Sequence, residues 1–260
     1  MLISEIISEL RKDTPWVNYD KTRDVYLVKN DDLDVDKIGV CWTASMQVLN
    51  RAVEEGIHLI ISHENFLYVE GTMLYKGYIE ARERKIALCK EHNITVYRFH
   101  DGWDVFPEYG INDMLCKVID LTFEKREPLS FYSYANVDNM PVKEVAQKIA
   151  RALAPYGSDH VEVLGNVDKQ VHRVCIGTGA ISDLPSMMKG EPDCLVLADD
   201  GSCNWIEHHW CLDNDIAVIL YHHSVNEMPG IDGMKQYLDK KFRDIETLRL
   251  KEGFVYTSAK

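Results

Sequence analysis

KIGVCWTASMQVLNRAVEEGIHLIISHE, residues 37–64, reads as a strand, a small-residue turn, an amphipathic helix and a second strand. RVCIGTGAISDLPSMMKGEPDCLVLADD, residues 173–200, repeats that order at nearly the same length. The match runs on, because ITVYRFHDGWDVFPEYGINDMLCKVID (94–120) and IAVILYHHSVNEMPGIDGMKQYLDKKF (216–242) each give a strand, a polar loop, Gly-Ile and an acidic helix start. Two copies with a period of roughly 135 residues mark a duplicated domain and not a solenoid. The expected fold is therefore α/β with mixed sheets, in which duplicated strand-helix-strand units form two intertwined, similar halves. The first half is expected over 1–125. The second, with an intervening strand and helix, is expected over 126–260. A duplication of this kind places a shared site at the pseudo-twofold interface.

The intervening segment starts with strand-like LSFYSYANV and continues into PVKEVAQKIARALAPYG. Pro141 in the first turn, Val142, Val145, Ile149 and Leu153 on one face, and a Pro-Tyr-Gly stop predict a helix there. HVEVLGNV is expected to add a strand before the second copy.

Three apolar runs end on a histidine with a carboxylate close behind: HLIISHE (58–64), ITVYRFHDGWD (94–104) and IAVILYHHSVNE (216–227). Buried parallel strands read as such runs, and ligands of open α/β sheets gather beyond the carboxyl ends of the strands. His63, Glu64, His100, Asp104, His223 and Glu227 thus point to a metal site. Each motif alone also fits a plainer reading. A histidine after a strand is often a hydrogen-bonded structural residue, and Asp101-Gly102 suits a simple turn with a solvated acid. His223 and Glu227 would share a face of a helix, but Pro229-Gly230 argues for a helix starting near Pro229, with the pair in the preceding loop. His222 is expected to point away from His223 and to be structural. Gly177-Thr178-Gly179 is a tight βα turn that would also admit close approach of a ligand. Asp199, Asp200, His208 and His209 read as solvated residues with an accessory role as the alternative.

Composition limits the partners. The chain has 260 residues, 46% apolar content and a formal charge of −13, which disfavours nucleic acid and anionic membranes. Small molecules and proteins are the expected partners. No run reaches the eighteen or so apolar residues of a membrane span, and MLISEIISELRKD is an amphipathic helix pattern without export features. Seven scattered cysteines without a CxxC pair indicate neither a disulfide framework nor a thiolate zinc site. A reducing cytoplasm fits.

At these residues the chain resembles the NGG-interacting-factor-three-like family, also known as type-two GTP cyclohydrolase I homologues or dinuclear-metal-centre hexameric proteins. The resemblance runs from about residue 37 to 257. The family's strand ending in His-His is met by His63-Glu64, its His-Thr-Asn-Leu-Asp by His100 to Asp104, and its Gly-Ser-Gly-Gly by Gly177 to Ala180. Its Gly-Asp strand end is met by Asp199-Asp200, and its His-x-x-x-Glu by His223 and Glu227. The resemblance implies His63, Asp104, His223 and Glu227 as ligands of two divalent ions drawn from Mn, Fe, Zn, Co and Ni, with Glu64 where a second histidine is usual. The Trp-Asp-Asn-x-Gly-Leu segment of the family is replaced by PWVNYDKTRDVYLVKN, so the chain is a divergent member.

Two cations about 3.5–4 Å apart lower the pKa of a shared water and make it a nucleophile, which points to a hydrolase for a small phosphoester, nucleotide or cyclic amide. In that scheme Glu227 bridges, Asp104 bridges or caps, and His63 and His223 are terminal nitrogens. Glu64 binds the opposite ion, and His100 orients ligands or shuttles protons. A non-catalytic metal-binding or regulatory scaffold is the competing class. A GTP cyclohydrolase role ranks lower, because no basic cluster or P-loop accompanies the strand ends. The family likeness further implies a ring-like homo-oligomer, a hexamer.

Overall fold

The computed structural model describes residues 1–68, 75–202 and 204–259. It divides into two compact units, Met1–Phe106 with Ile231–Gly253, and Pro107–Gly230 with Phe254–Lys260. Each is built on a five-stranded mixed sheet.

In the first unit, β2 (Lys37–Cys41), β3 (Leu59–Ser62) and β4 (Thr95–Arg98) run parallel in sequence order. The strands are almost wholly buried, as parallel strands covered by helices must be. β1 (Tyr26–Val28) closes one edge antiparallel to β4, and β10 (Glu246–Arg249) closes the other parallel to β2. The crossover helix α2 (Met46–Glu55) starts where Ser45 Oγ accepts the Val48 N–H, and buries Val48, Leu49 and Ala52 against Ile60 and Val96 of the sheet. α1 (Ile3–Lys12) buries Ile3, Ile6, Ile7 and Leu10, the apolar stripe read from MLISEIISELRKD. α3 (Lys76–Glu91) is the crossover from β3 to β4.

The second unit repeats the plan. β7 (Gln170–Gly177), β8 (Cys194–Ala198) and β9 (Ala217–Tyr221) are parallel, flanked by antiparallel edge strands β5 (Tyr132–Pro141) and β6 (Glu162–Leu164). β6 therefore lies beside β9, at the edge opposite β5. α6 (Val142–Leu153) begins after Pro141 and buries Val142, Val145, Ile149 and Leu153 against Val174, Val196 and Ile219. Each such side chain contributes about 1.5–3 kcal/mol of burial.

The duplication and the compact units differ in one instructive way. α5 (Ile111–Val118), which follows the first copy's last strand, belongs to the second unit. From Ile231 onward, α10 (Met228–Lys241) and the strand β10 after it belong to the first. The chain passes from one unit to the other at 106/107, 230/231 and 253/254. Among the described residues, no helix is long and apolar enough to cross a membrane.

Candidate metal centre

Each unit gathers histidine and carboxylate at the carboxyl ends of its parallel strands. In the first, β3 runs out at Ser62 and delivers His63 and Glu64, while β4 delivers His100 and a one-turn helix α4 (Asp101–Asp104). The His63 and His100 rings stack, with centroids 4.6 Å apart and planes inclined by 6°. His63 Nδ1 faces the Phe99 carbonyl at 3.4 Å, an acceptor that calls for a proton on Nδ1, and its Nε2 lies 3.3 Å from Asp104 Oδ1. His100 Nε2 lies 3.2 Å from Glu64 Oε1, and its Nδ1 lies 3.0 Å from Asp101 Oδ1 and 3.2 Å from Asp104 Oδ2.

The sequence pointed to a loop at 101–104, but the backbone turns helically because Asp24 caps it. This fully buried carboxylate accepts the N–H groups of His100, Asp101 and Gly102 at 2.6, 2.7 and 2.9 Å. A Cβ on Gly102 would sit 2.9 Å from Asp24 Oδ2, so the approach requires glycine.

In the second unit, β9 ends at Tyr221 and is followed by a one-turn helix, α9 (His223–Asn226), with Glu227 as its C-cap. The expectation of a loop across 223–227 is corrected here. Pro229 is tolerated in the first turn of α10, where its missing N–H would have no helical acceptor, and Asp199 Oδ1 accepts the His223 N–H at 3.0 Å. The helical turn puts His223 Nε2 3.0 Å from Glu227 Oε2. On its other side, His223 Nδ1 meets Asp200 Oδ2 at 2.6 Å. Asp200 and Asp199, which the sequence left as solvated strand-end residues, therefore orient a histidine. His222 diverges from His223 as expected, its Nδ1 on Asp199 at 3.0 Å and its ring stacked on Tyr256 at 3.7 Å. His208 hydrogen-bonds Ser202, and His209 faces Asp213 at 3.7 Å.

Charge follows geometry. Burial favours the neutral form of His100, but the charge of Asp104 and hydrogen bonds with Asp101 and Glu64 overcome it and push the ring up to about 9. Burial likewise opposes protonation of His223, yet Glu227 and Asp200 raise it to about 11. Burial would raise Glu64, but the hydrogen bond with His100 and the charges of His63, His100 and Arg98 bring it down to about 2. The carboxylates thus favour a proton on His100 and on His223, where a cation would serve the same charge. Cation uptake would release those protons.

The donor set fits such a cation. Ligand atoms about 2.0–2.2 Å from one ion lie roughly 3.0–3.5 Å from one another, the spacing of His63–Asp104 (3.3 Å), His100–Glu64 (3.2 Å) and His223–Glu227 (3.0 Å). His63, His100 and Asp104 each offer an atom within 4.8 Å of the others. Gly179 keeps the second cluster open: its φ is +55°, and a Cβ there would lie 2.6 Å from Glu227 Oε1 and 2.8 Å from His223 Nε2. Gly179→Ala is accordingly expected to weaken Mn(II) or Co(II) binding by more than about 10-fold while the protein stays folded, because its methyl group displaces the ligand atoms themselves. Unchanged affinity by metal titration would contradict this reading of the pocket.

Comparison with known proteins places the chain in a family. The pattern of the Duf34/NIF3 (NGG1p interacting factor 3) family matches residues 1–254. A "GTP cyclohydrolase 1 type 2 homolog" of Clostridium acetobutylicum is 24% identical over 228 residues, 82% of this chain and 80% of the relative. "NIF3-like protein 1" of Drosophila melanogaster is 24% identical over 241 residues, 86% of this chain and 77% of the relative. Among solved structures, a Bacillus cereus protein related to NIF3 superposes with a TM-score of 0.78 at 13% identity, covering 99% of each chain. Reduced HcgD from Methanocaldococcus jannaschii gives 0.72 at 17% identity, covering 96% of this chain and 98% of the other. With the duplicated mixed sheets and the strand-end histidines already described, the match over nearly the whole length settles the family: this chain belongs to Duf34/NIF3.

Proposed function

We propose that the protein is a dinuclear metal-dependent hydrolase of a small phosphoester, nucleotide or cyclic amide, with His63, Glu64, Asp104, His223 and Glu227 as ligands. The observation that supports it best is the recurrence, in both units, of an imidazole nitrogen 3.0–3.3 Å from a carboxylate oxygen at a strand end. The assignment of both clusters to one dinuclear centre rests on the order of motifs shared with the family. Bound divalent ions would supply Lewis acidity and a water of lowered pKa.

The chain's own groups prepare the site for that chemistry. The Phe99 carbonyl fixes the tautomer of His63, and Asp200 does the same for His223. Glu227, almost fully buried, would serve as the carboxylate shared by the ions, and Asp104 as a second shared or a terminal ligand. His100, between Glu64 and Asp104, is placed to hold or move a proton at Nε2. Three carboxylates against two divalent ions leave roughly +1, which draws an anionic or carbonyl group despite the acidic chain.

Reconstitution with Mn, Fe, Co and Zn, followed by a panel of phosphoesters, nucleotides and cyclic amides, tests the activity. Turnover that requires metal is expected; fully loaded protein that turns over none of them would favour a scaffold. We also propose assembly into a ring-like homo-oligomer, a hexamer, whose interface cores would be depleted in charge despite the −13 per chain. A monomer by light scattering at micromolar concentration would contradict it.

A further inference from the structure

Arg98 closes β4 directly beside Ser62 of β3, and its side chain is largely buried. From there it grips two consecutive candidate ligands. Its Nε donates to the His63 carbonyl at 3.1 Å, and its Nη2 donates to Glu64 Oε2 at 2.6 Å. Glu64 Oε2 also accepts the Asn65 N–H at 3.1 Å, and Ser62 Oγ donates to the Glu64 carbonyl at 2.9 Å. The two carboxylate oxygens therefore have different surroundings. Oε2 is held by the guanidinium and a backbone amide, while Oε1 faces His100 Nε2 at 3.2 Å.

We propose that Arg98 is a positioning residue that makes Glu64 a one-oxygen metal ligand, coordinating through Oε1, and that cancels the charge Glu64 adds to the site. The inference rests on the metal-binding reading above. A carboxylate free to rotate can chelate an ion through both oxygens or turn away from it. Arg98 Nη2 and the Asn65 N–H together hold Oε2, while the second arm of the guanidinium anchors on the His63 carbonyl; this opposes both choices and leaves Oε1 turned towards His100. It also leaves the Glu64–Arg98 pair electrically neutral, so the remaining ligand charge of this cluster comes from Asp104.

The sign of the effect separates positioning from mere packing. A fixed positive charge beside a divalent cation repels it. If Arg98 served the fold alone, its removal would leave metal affinity unchanged or tighten it. If it aims Glu64, its removal weakens binding despite the relieved repulsion.

The test is a double-mutant cycle read by Mn(II) titration with electron paramagnetic resonance: wild type, Arg98→Gln, Glu64→Gln and the double variant. Arg98→Gln is expected to weaken Mn(II) binding by about 10- to 100-fold in the Glu64 background. In the Glu64→Gln background the same change is expected to be neutral or to tighten binding. Arg98→Lys, which keeps the charge without the fork, should fall between wild type and Arg98→Gln, and serves in its place should the glutamine variant fail to fold. Unchanged or tighter binding by Arg98→Gln, or an equal loss in both backgrounds, would overturn the inference while leaving the metal reading intact. A wild-type protein that takes up no Mn(II) would overturn both.

Discussion

Replacing Glu227 by alanine is expected to strip the protein of both ions, whereas His100→Ala keeps most of its metal. Glu227 is 3% exposed and is aimed by the one-turn helix at its own His223, with Oε2 3.0 Å from Nε2. As the proposed bridging carboxylate it would supply counter-charge to both cations, and its loss would leave two like charges without it. Metal content after dialysis should fall from about two ions per chain to near zero. His100, in contrast, is proposed to orient ligands, and loss of such a partner typically costs ~10- to 100-fold in affinity. Its position gives the comparison force, since His100 lies within reach of Asp104 and Glu64 and stacks on His63. Equal metal loss in the two variants would make His100 a ligand and undo this division of roles.

The second large effect is on the fold itself. Asp24→Ala is expected to destabilise the protein by about 3 kcal/mol, because it removes a buried charged acceptor from three N–H groups at the start of α4. Asp24→Asn, with a single acceptor oxygen, should lose less. The consequence reaches the site, since α4 carries Asp104 and is capped at His100. Denaturant unfolding monitored by circular dichroism gives the number directly. A loss below about 1 kcal/mol would mean that solvent replaces the cap.

What the sequence conveyed, and what it could not, follows from the range of the interactions involved. Parallel strands buried on both faces announce themselves as apolar runs, so β2, β3, β4 and their counterparts β7, β8 and β9 were legible, and with them the histidines at their ends. α6 was legible for a similar reason, its apolar face and Pro-Tyr-Gly stop being local signals. The exchange of α5 and β10 between units was not, because Gly110-Ile111 and Gly230-Ile231 look alike and nothing local says which core each following helix joins. The one-turn helices at 101–104 and 223–226 were misjudged as loops for the same reason. Asp-Gly and Pro argue locally for turns, while the groups that stabilise the helical turns come from afar: Asp24 for the first and Asp199 for the second. Asp24 lies in the segment where the chain departs from the family pattern, so the motifs gave no hint of it. Arg98 was hidden in the strand run ITVYRFH, and only the register that sets it beside Ser62 reveals its hold on His63 and Glu64.

The two strand-end clusters are proposed to hold metal. Inductively coupled plasma mass spectrometry of protein purified without chelator, and again after reconstitution with Mn, Fe, Co and Zn, tests it most directly. About two divalent transition-metal ions per chain are expected. Protein that remains folded and carries none after reconstitution with all four would contradict the account.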